Sequence, residues 1–260
     1  MKNTKWIMFA LLISCALIFM GCPDPTVTTP TVTTTDNGSE TVNSGTGDTG
    51  DTGGTTVTYI GSKAPREAKA VGDIVFSDGS ASAYNESFTD EQKAAAVAVI
   101  FDAENSLGVG LETASSIESR KEWCKESADA YNKTTYATST SDGKANTAEI
   151  AGLPDYSETN YPAFYFCTSY SVTGFTSGWY LPSKYELGKL YDHRNVRLEY
   201  AFTALGKTNP FTSGYWWSSS QYTANEFLPD SAYVGDFDLW DTNAALQKDT
   251  IQRVCAVHSF

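Results

Sequence analysis

Apolar positions in this chain follow two patterns, short unbroken runs towards the ends and helical spacings through the middle. Ile74-Val75-Phe76 and Val97-Ala98-Val99-Ile100-Phe101 are continuous runs, as expected of buried strands, and Ser77-Asp78-Gly79-Ser80 after the first is a turn signal. Val57 to Ile60 reads as a further strand, and Asp90 to Ala96 as a short helix. Ser115-Ser116-Ile117-Glu118 has the capping-box order and predicts a helix with Ile117, Cys124, Ala128 and Tyr131 facing inward. Tyr161-Pro162 opens another helix, since proline is tolerated in a first turn. Its buried stripe is Ala163, Phe166, Cys167 and Tyr170. Asn132 to Asn146, polar and punctuated by glycine, reads as surface loop. Gly178 to Pro182 is β-like. Ser183-Lys184-Tyr185-Glu186 is a second capping box, leading into a helix with Leu187, Leu190 and Tyr191 on one face. A last helix runs from about Asn195 to Leu205 and stops at Gly206. Helices crowd the middle and strands the ends, which predicts an α+β domain in which antiparallel strands near the two termini pair in a sheet.

The stretch from Gly214 to Phe260 organises the rest. It opens on the aromatic strand signal Tyr215-Trp216-Trp217-Ser218-Ser219-Ser220 and closes on a second β-like run, Arg253 to Phe260. Between them, Gln221 to Gln252 sustains no clear period. A long irregular segment held between strands is functional or disordered, and its aromatic content argues against disorder. Rigid rings among small polar residues suit recognition. Strand-like spacing assigns Trp217, Ser218, Ser219, Ala232, Val234, Phe237, Val254 and Val257 to the scaffold, along with Trp179, Leu181, Pro182, Glu186 and Leu187 upstream. Trp216, Tyr222, Glu226, Phe227, Asp230, Asp236, Asp238, Leu239, Trp240, Asp241, Thr242 and Leu246 remain as candidate ligand-facing positions. Trp240 leads them, because an aromatic between acidic neighbours is awkward to bury and suited to a hot spot.

Composition and charge narrow the function classes. The net charge of −13 leaves no basic stripe to neutralise phosphates, so nucleic acid is not an expected partner. At the N-terminus, Met1 to Lys5 is positively charged, and Trp6 to Met20 is an apolar segment short for a membrane span. Gly21-Cys22 after it resembles a bacterial lipobox. That resemblance implies a signal peptide over 1–21 and a mature chain beginning at an acylated Cys22, which two or more acyl chains would anchor stably. From 22 to 56 the sequence is largely Thr, Gly, Ser, Asp and Pro, a composition read as a tether. About thirty-five such residues reach roughly 30 Å. The domain then occupies 57–260.

Several motifs carry a family resemblance. Gly178-Trp179-Tyr180-Leu181-Pro182-Ser183-Lys184-Tyr185-Glu186-Leu187, then Trp216-Trp217-Ser218-Ser219 and the terminal Val254 to Phe260, resemble bacterial proteins of the C-type lectin fold, in the branch like the formylglycine-generating enzymes. Gly72 to Gly79 and Asp142 to Thr147 fit the same pattern. With its lipobox and tether, the chain resembles the treponemal variable lipoproteins, targets of diversity-generating retroelements. The resemblance implies an α+β C-type lectin fold and a lipid anchor at the bacterial outer membrane or cell surface. It also implies a variable region over about 215–253 in which a fixed scaffold carries interchangeable ligand-binding residues. The implied partner is a protein or another surface molecule, bound by a monomer without a cofactor.

Candidate chemistry is sparse. Cys124, Cys167 and Cys255 lie in separate elements and lack the reactive pair that the oxidases of this fold group use. His193 and His258 have no local activating partner, so a cysteine–histidine nucleophile is disfavoured and the chain is read as a binding protein, not an enzyme. The three thiols are an odd number without a C-x-x-C spacing, which favours small buried hydrophobes over zinc ligands. Asp236, Asp238 and Asp241 could offer oxygen ligands to a hard cation. Their spacing fits a solvated acidic patch better.

Overall fold

Both faces of the central sheet are covered, which explains why its strands read as continuous apolar runs. The computed structural model describes residues 56–239, 241 and 243–260, with the backbone of two short strands ahead of them, β1 (Thr33–Thr35) and β2 (Ser39–Thr41). These pair antiparallel with β3 (Thr56–Thr58) in the order β1-β2-β3. The tether composition predicts no strand at β1 or β2. Threonine's branched Cβ favours extended backbone, and it supplies most of the pairing positions. The expected signal segment, Cys22 and the rest of the expected tether lie outside the described residues.

The domain proper begins with β4 (Ile74–Phe76) and β5 (Ala81–Ser82), a hairpin across the predicted turn. Helix α1 (Asp90–Ala95) follows, opened by a Thr89–Gln92 capping box, and passes directly into β6 (Ala96–Asp102) and then β7 (Leu107–Ala114). Helices α2 (Gly143–Ala151), α3 (Pro162–Thr168) and α4 (Lys184–His193) come next. A π-helical turn, Arg194–Leu198, then joins α4 to α5 (Glu199–Ala204). The chain ends with β8 (Tyr215–Gln221), β9 (Ser231–Asp236), β10 (Ala245–Gln247) and β11 (Val254–Ser259). One antiparallel sheet has the order β11-β7-β6-β4-β5 and another β10-β9-β8, giving an α+β architecture. The expected pairing of the termini is corrected: β11 pairs with β7, β4 lies beyond β6 in the same sheet, and β3 belongs to the sheet of β1 and β2, because the β6–β7 hairpin takes the place between the two ends.

Side-chain alternation divides the interior in two. Val75, Ala98, Ile100, Val254 and Ala256 face a cluster completed by Ile150 of α2 and Ala163, Phe164 and Cys167 of α3. Ile74, Phe76, Val99, Phe101, Cys255 and Val257 face the other, completed by Leu187 and Leu190 of α4, Leu198, and Ala201 and Phe202 of α5. Burial of such side chains stabilises by roughly 1.5–3 kcal/mol each. Among the described residues no helix is long and apolar enough to cross a membrane.

Four local expectations are corrected. No helix follows Ser115. The stretch is instead tied to the C-terminal chain: Lys121 bridges Gln252, and the Trp123 amide donates to the Lys248 carbonyl at 2.8 Å. Ile117, expected inward, is 70% exposed, whereas Cys124, Ala128 and Tyr131 are buried by tertiary packing alone. The 132–146 segment does not stay a loop, because α2 starts within it at Gly143, capped by the Asp142 side chain. The buried face of α2 includes Asn146 and Thr147, so no apolar stripe announces it. Gly178 to Pro182 makes a single bridge, Tyr180 to Val257, and no strand. Gly206 does end the last helix, with φ +70°, but a π-helical turn breaks the helix that leads to it.

Candidate functional site

The C-terminal sheet is built on a strand whose two tryptophans point opposite ways. Trp216 packs into the α4–α5 side of the core, its ring 4.6 Å from Phe211 and 5.9 Å from Phe237. Trp217 enters the α2–α3 side and donates its indole N–H to the Lys121 carbonyl at 2.9 Å. Both are fully buried. Trp216 is therefore scaffold, and its assignment to the ligand-facing set is corrected: adjacent strand residues face opposite sides, and here both sides are interior.

The serines that follow are buried and satisfied. Ser218 Oγ donates to the Tyr233 carbonyl at 2.8 Å, and Ser220 Oγ donates to that of Ser139 at 2.8 Å while accepting from the Lys184 amide. Ser219 Oγ accepts from Asn146 Nδ2 at 3.1 Å, and the Ser219 amide donates to the Pro182 carbonyl at 2.7 Å. Gln221 Nε2 donates to the carbonyls of Pro229 and Ser231. Small hydroxyls let β8 lie against α2 and the start of α4 with the serine oxygens paired, which removes the penalty of burying them, whereas Gln221 Oε1 is buried without a hydrogen-bond partner.

Two loops project from this base. In the first, residues 222–230, Tyr222 is half-buried and meets Tyr233 edge-on at 5.0 Å. Asn225 Oδ1 accepts from the Phe227 amide at 2.9 Å, and the turn it makes carries Glu226, Phe227 and Leu228 outward. Phe227 is 83% exposed, too open for a core role. Asp230 is half-buried, with Oδ2 held by Gln247 Nε2 at 2.9 Å. Beneath this loop Lys248 is fully buried and donates to the carbonyls of Ala130, Tyr131, Lys133 and Pro229 at 2.7, 2.8, 3.2 and 2.9 Å. Burial lowers its ammonium to about 8.

The second loop follows β9. Asp236 is a second correction, because it is buried and its Oδ1 accepts from the amides of Asp238 and Leu239 at 2.9 and 3.2 Å, shaping the turn. Asp238 is exposed and accepts from the Gly214 amide. Leu239 is 84% exposed and Asp241 is exposed. Trp240 and Thr242 lie outside the described residues. Leu246, a third correction, is half-buried on β10 and packs against the core, because Gln221–Gln252 contains two strands where no period was legible. Lys184 reaches in from α4, its ammonium 4.0 Å from the Tyr233 ring centroid and 3.1 Å from Asn243 Oδ1. Burial lowers its pKa, and nearby Asp241 opposes that shift.

In comparisons, no family model, curated protein or solved structure matches the chain.

Of the expected set, Glu226 and Phe227 are exposed on the first loop, with Tyr222 and Asp230 at its base, and Asp238, Leu239 and Asp241 are exposed on the second, which leaves the opposite end of β9. Leu228 on the first loop and Lys184 beside Asn243 of the second were not among the candidates. The adjacent apolar pair Phe227-Leu228 before Pro229 is the one signal that marks Leu228, and nothing local links Lys184 to a loop sixty residues later. Reactive chemistry is poorly supported by the thiols. Burial pushes Cys124 up to about 12 and raises Cys167 and Cys255 as well, keeping all three protonated. Among the described residues no group of three or more His, Cys, Asp or Glu side chains could hold a metal ion.

Proposed function

We propose that this chain is a lipid-anchored surface protein whose domain has the C-type lectin fold and binds a macromolecular ligand through the two C-terminal loops. On this reading acylated Cys22 anchors the chain to a bacterial outer membrane or cell surface, and the tether carries the domain outward. Residues at about 215–253 then divide into fixed scaffold and positions rewritten by a diversity-generating retroelement. The partner is a protein or another surface molecule, and no reaction is involved.

One contrast carries the reading. Within a single stretch, Trp216, Trp217, Val234 and Phe237 are sealed in the core, while Phe227 and Leu239 stand more than four-fifths exposed on the loops beside them. On the first loop Phe227 is followed by Leu228, 42% exposed, and adjacent apolar side chains held open on an ordered turn support an interaction role. The buried serines and tryptophans would let loop identities change without disturbing the base.

The locus tests the diversification. A near-copy of the 3′ coding region, differing from it at adenines and lying beside a reverse-transcriptase gene, is expected. Codons for Phe227, Leu239 and Asp241 should fall at variable sites, and those for Trp216, Trp217 and Val234 at constant ones. An invariant locus without such a copy would replace this reading with a fixed adhesive lipoprotein of the same fold.

A further inference from the structure

A cavity of about 500 Å³ opens elsewhere, between Ala70–Asp73, Ala83–Asn85 and the junction of α4 with the π-helical turn. Its polar wall is Lys63, Asp73, Tyr84, Asn85, His193 and Arg197. Two of these cancel. Asp73 is buried, and its Oδ2 accepts from Lys63 Nζ and from the Ala70 amide. Arg197 has no such counter-charge, for no carboxylate pairs with it among the described residues. Its Nη1 donates to the Tyr84 hydroxyl, with the guanidinium carbon 5.5 Å from that ring's centroid. An arginine carries five N–H donors, so most of the fork stays available.

The wall around Arg197 is held in place. Tyr84 stacks on Tyr200, with centroids 5.9 Å apart and planes 11° from parallel. Gly72, at φ +94°, admits the ring from the other side, because a Cβ there would lie 2.8 Å from Tyr84 Cδ1. The π-helical turn sets where Arg197 emerges. Buried Asn209 supports that turn, donating Nδ2 to the Arg194 carbonyl at 2.9 Å and to Glu199 Oε2 at 3.0 Å. Inserted π turns are uncommon and concentrate at functional sites. In a chain of net charge −13, Arg197 is an exposed cation without a carboxylate partner, oriented by Tyr84 at the mouth of a cavity.

We propose that this cavity is a second binding site, for a small ligand bearing an oxyanion, either a carboxylate or a phosphate. Arg197 supplies the fork that matches such groups, and Tyr84, Asn85 and His193 offer further polar contacts. The volume falls within the range of small-molecule sites, roughly 300–1,000 Å³. The site shares no residue with the C-terminal loops and does not depend on what they bind.

The test uses the full chain, titrated with inorganic phosphate and separately with succinate. Arginine side-chain and backbone amide resonances report binding, and a thermal melt reports folding. At least one of the two probes is expected to saturate, with shifts confined to Arg197 and to residues 70–73, 83–85 and 193. The probe that saturates identifies the source of the oxyanion. Arg197→Gln should weaken that binding by about tenfold or more, as loss of a charge-assisted fork implies, with the melting midpoint unchanged. Arg197→Lys should fall between the two, and it carries the comparison if the glutamine variant melts early. The proposal is overturned if neither probe saturates, or if Arg197→Gln and Arg197→Lys both bind as tightly as the parent.

Discussion

The Lys248 ammonium donates to the Pro229 carbonyl at 2.9 Å, across a span of 19 residues, and so fastens the exposed 222–230 loop to the interior. Three more carbonyls, from Ala130, Tyr131 and Lys133, complete its cage. The cation does here what a bound metal ion does in other loops, drawing main-chain oxygens from two distant segments to one point. Lys248→Ala should destabilise by about 2–4 kcal/mol, because buried carbonyls left unpaired cost on the order of 1–3 kcal/mol each and some will find water. Lys248→Met keeps the stem and should lose less than alanine. Urea unfolding of the three proteins checks the order, and a methionine variant as stable as the parent would show that the cage contributes nothing.

The same lysine has a pH signature. Burial lowers it from 10.5 to about 8. Between those values the unfolded chain holds a proton that the folded chain has released, so raising the pH favours the fold. The parent is therefore expected to gain stability relative to Lys248→Met from pH 8 to 10.5, and to show a constant difference below pH 8. Both proteins carry Cys124→Ala, because that thiol is coupled to the Lys248 charge, and the comparison then cancels the other buried cysteines and the tyrosines, which titrate alkaline in both. A difference that stays flat across the window would rule out a depressed lysine.

Asn146 joins α2 to the serine strand. Its Nδ2 donates to the Ser139 carbonyl at 2.7 Å and to Ser219 Oγ at 3.1 Å, and its Oδ1 accepts from the Ser139 amide at 3.0 Å. Alanine there strands buried partners and should cost about 2–3 kcal/mol. Ser219→Ala, which removes one hydroxyl and one of those bonds, should cost less. Equal effects from the two variants, measured by thermal melts, would mean that Ser219 and not the Ser139 contacts fixes α2.

These contacts also explain what sequence reading reached and what it missed. The central strands were legible because Ile74–Phe76 and Val97–Phe101 are buried on both faces, so their apolar runs are unbroken. The Ser183 box was legible because both halves of its hydrogen-bond exchange with Glu186 are local. Helix α2 was not, since its inner face is Asn146 and Thr147, whose partners Ser219 and Leu181 are far away in sequence. The capping pattern at Ser115 misled for the converse reason. A favourable local signal lost to long-range bonds with Lys248 and Gln252. At the candidate surface, Phe227 and Leu239 were separable from the scaffold, whereas Trp216 was not, because its burial depends on Phe211 and Phe237 from other elements.

The division between base and loops makes a paired prediction. Trp216→Ala empties a fully buried site and should cost about 3–5 kcal/mol. Phe227→Ala and Leu239→Ala remove side chains already in water and should change stability by no more than about 0.5 kcal/mol. A drop in the melting midpoint of either loop variant comparable to that of Trp216→Ala would place those residues in the core and remove the basis for a displayed surface.

His258 offers a test at the acid end. Its ring lies among Phe175, Trp179 and Phe260, at 5.3, 5.0 and 4.8 Å between centroids. Nε2 lies 3.2 Å from the Ser177 carbonyl and is placed to donate to it. Burial lowers the pKa below 6.5 against the opposing pull of hydrogen bonds with the Ser177 and Ser259 backbone, and the Lys144 charge adds to the lowering. The unfolded chain thus takes up a proton near pH 6.5 that the folded chain refuses, and stability falls as the pH drops through that value. His258→Phe removes the group while keeping an aromatic ring in the cluster. The parent should lose stability relative to this variant below pH 6.5 and hold a constant difference above it. Parallel pH profiles for the two proteins would mean that the imidazolium finds an acceptor in the fold and that the cluster does not exclude its charge.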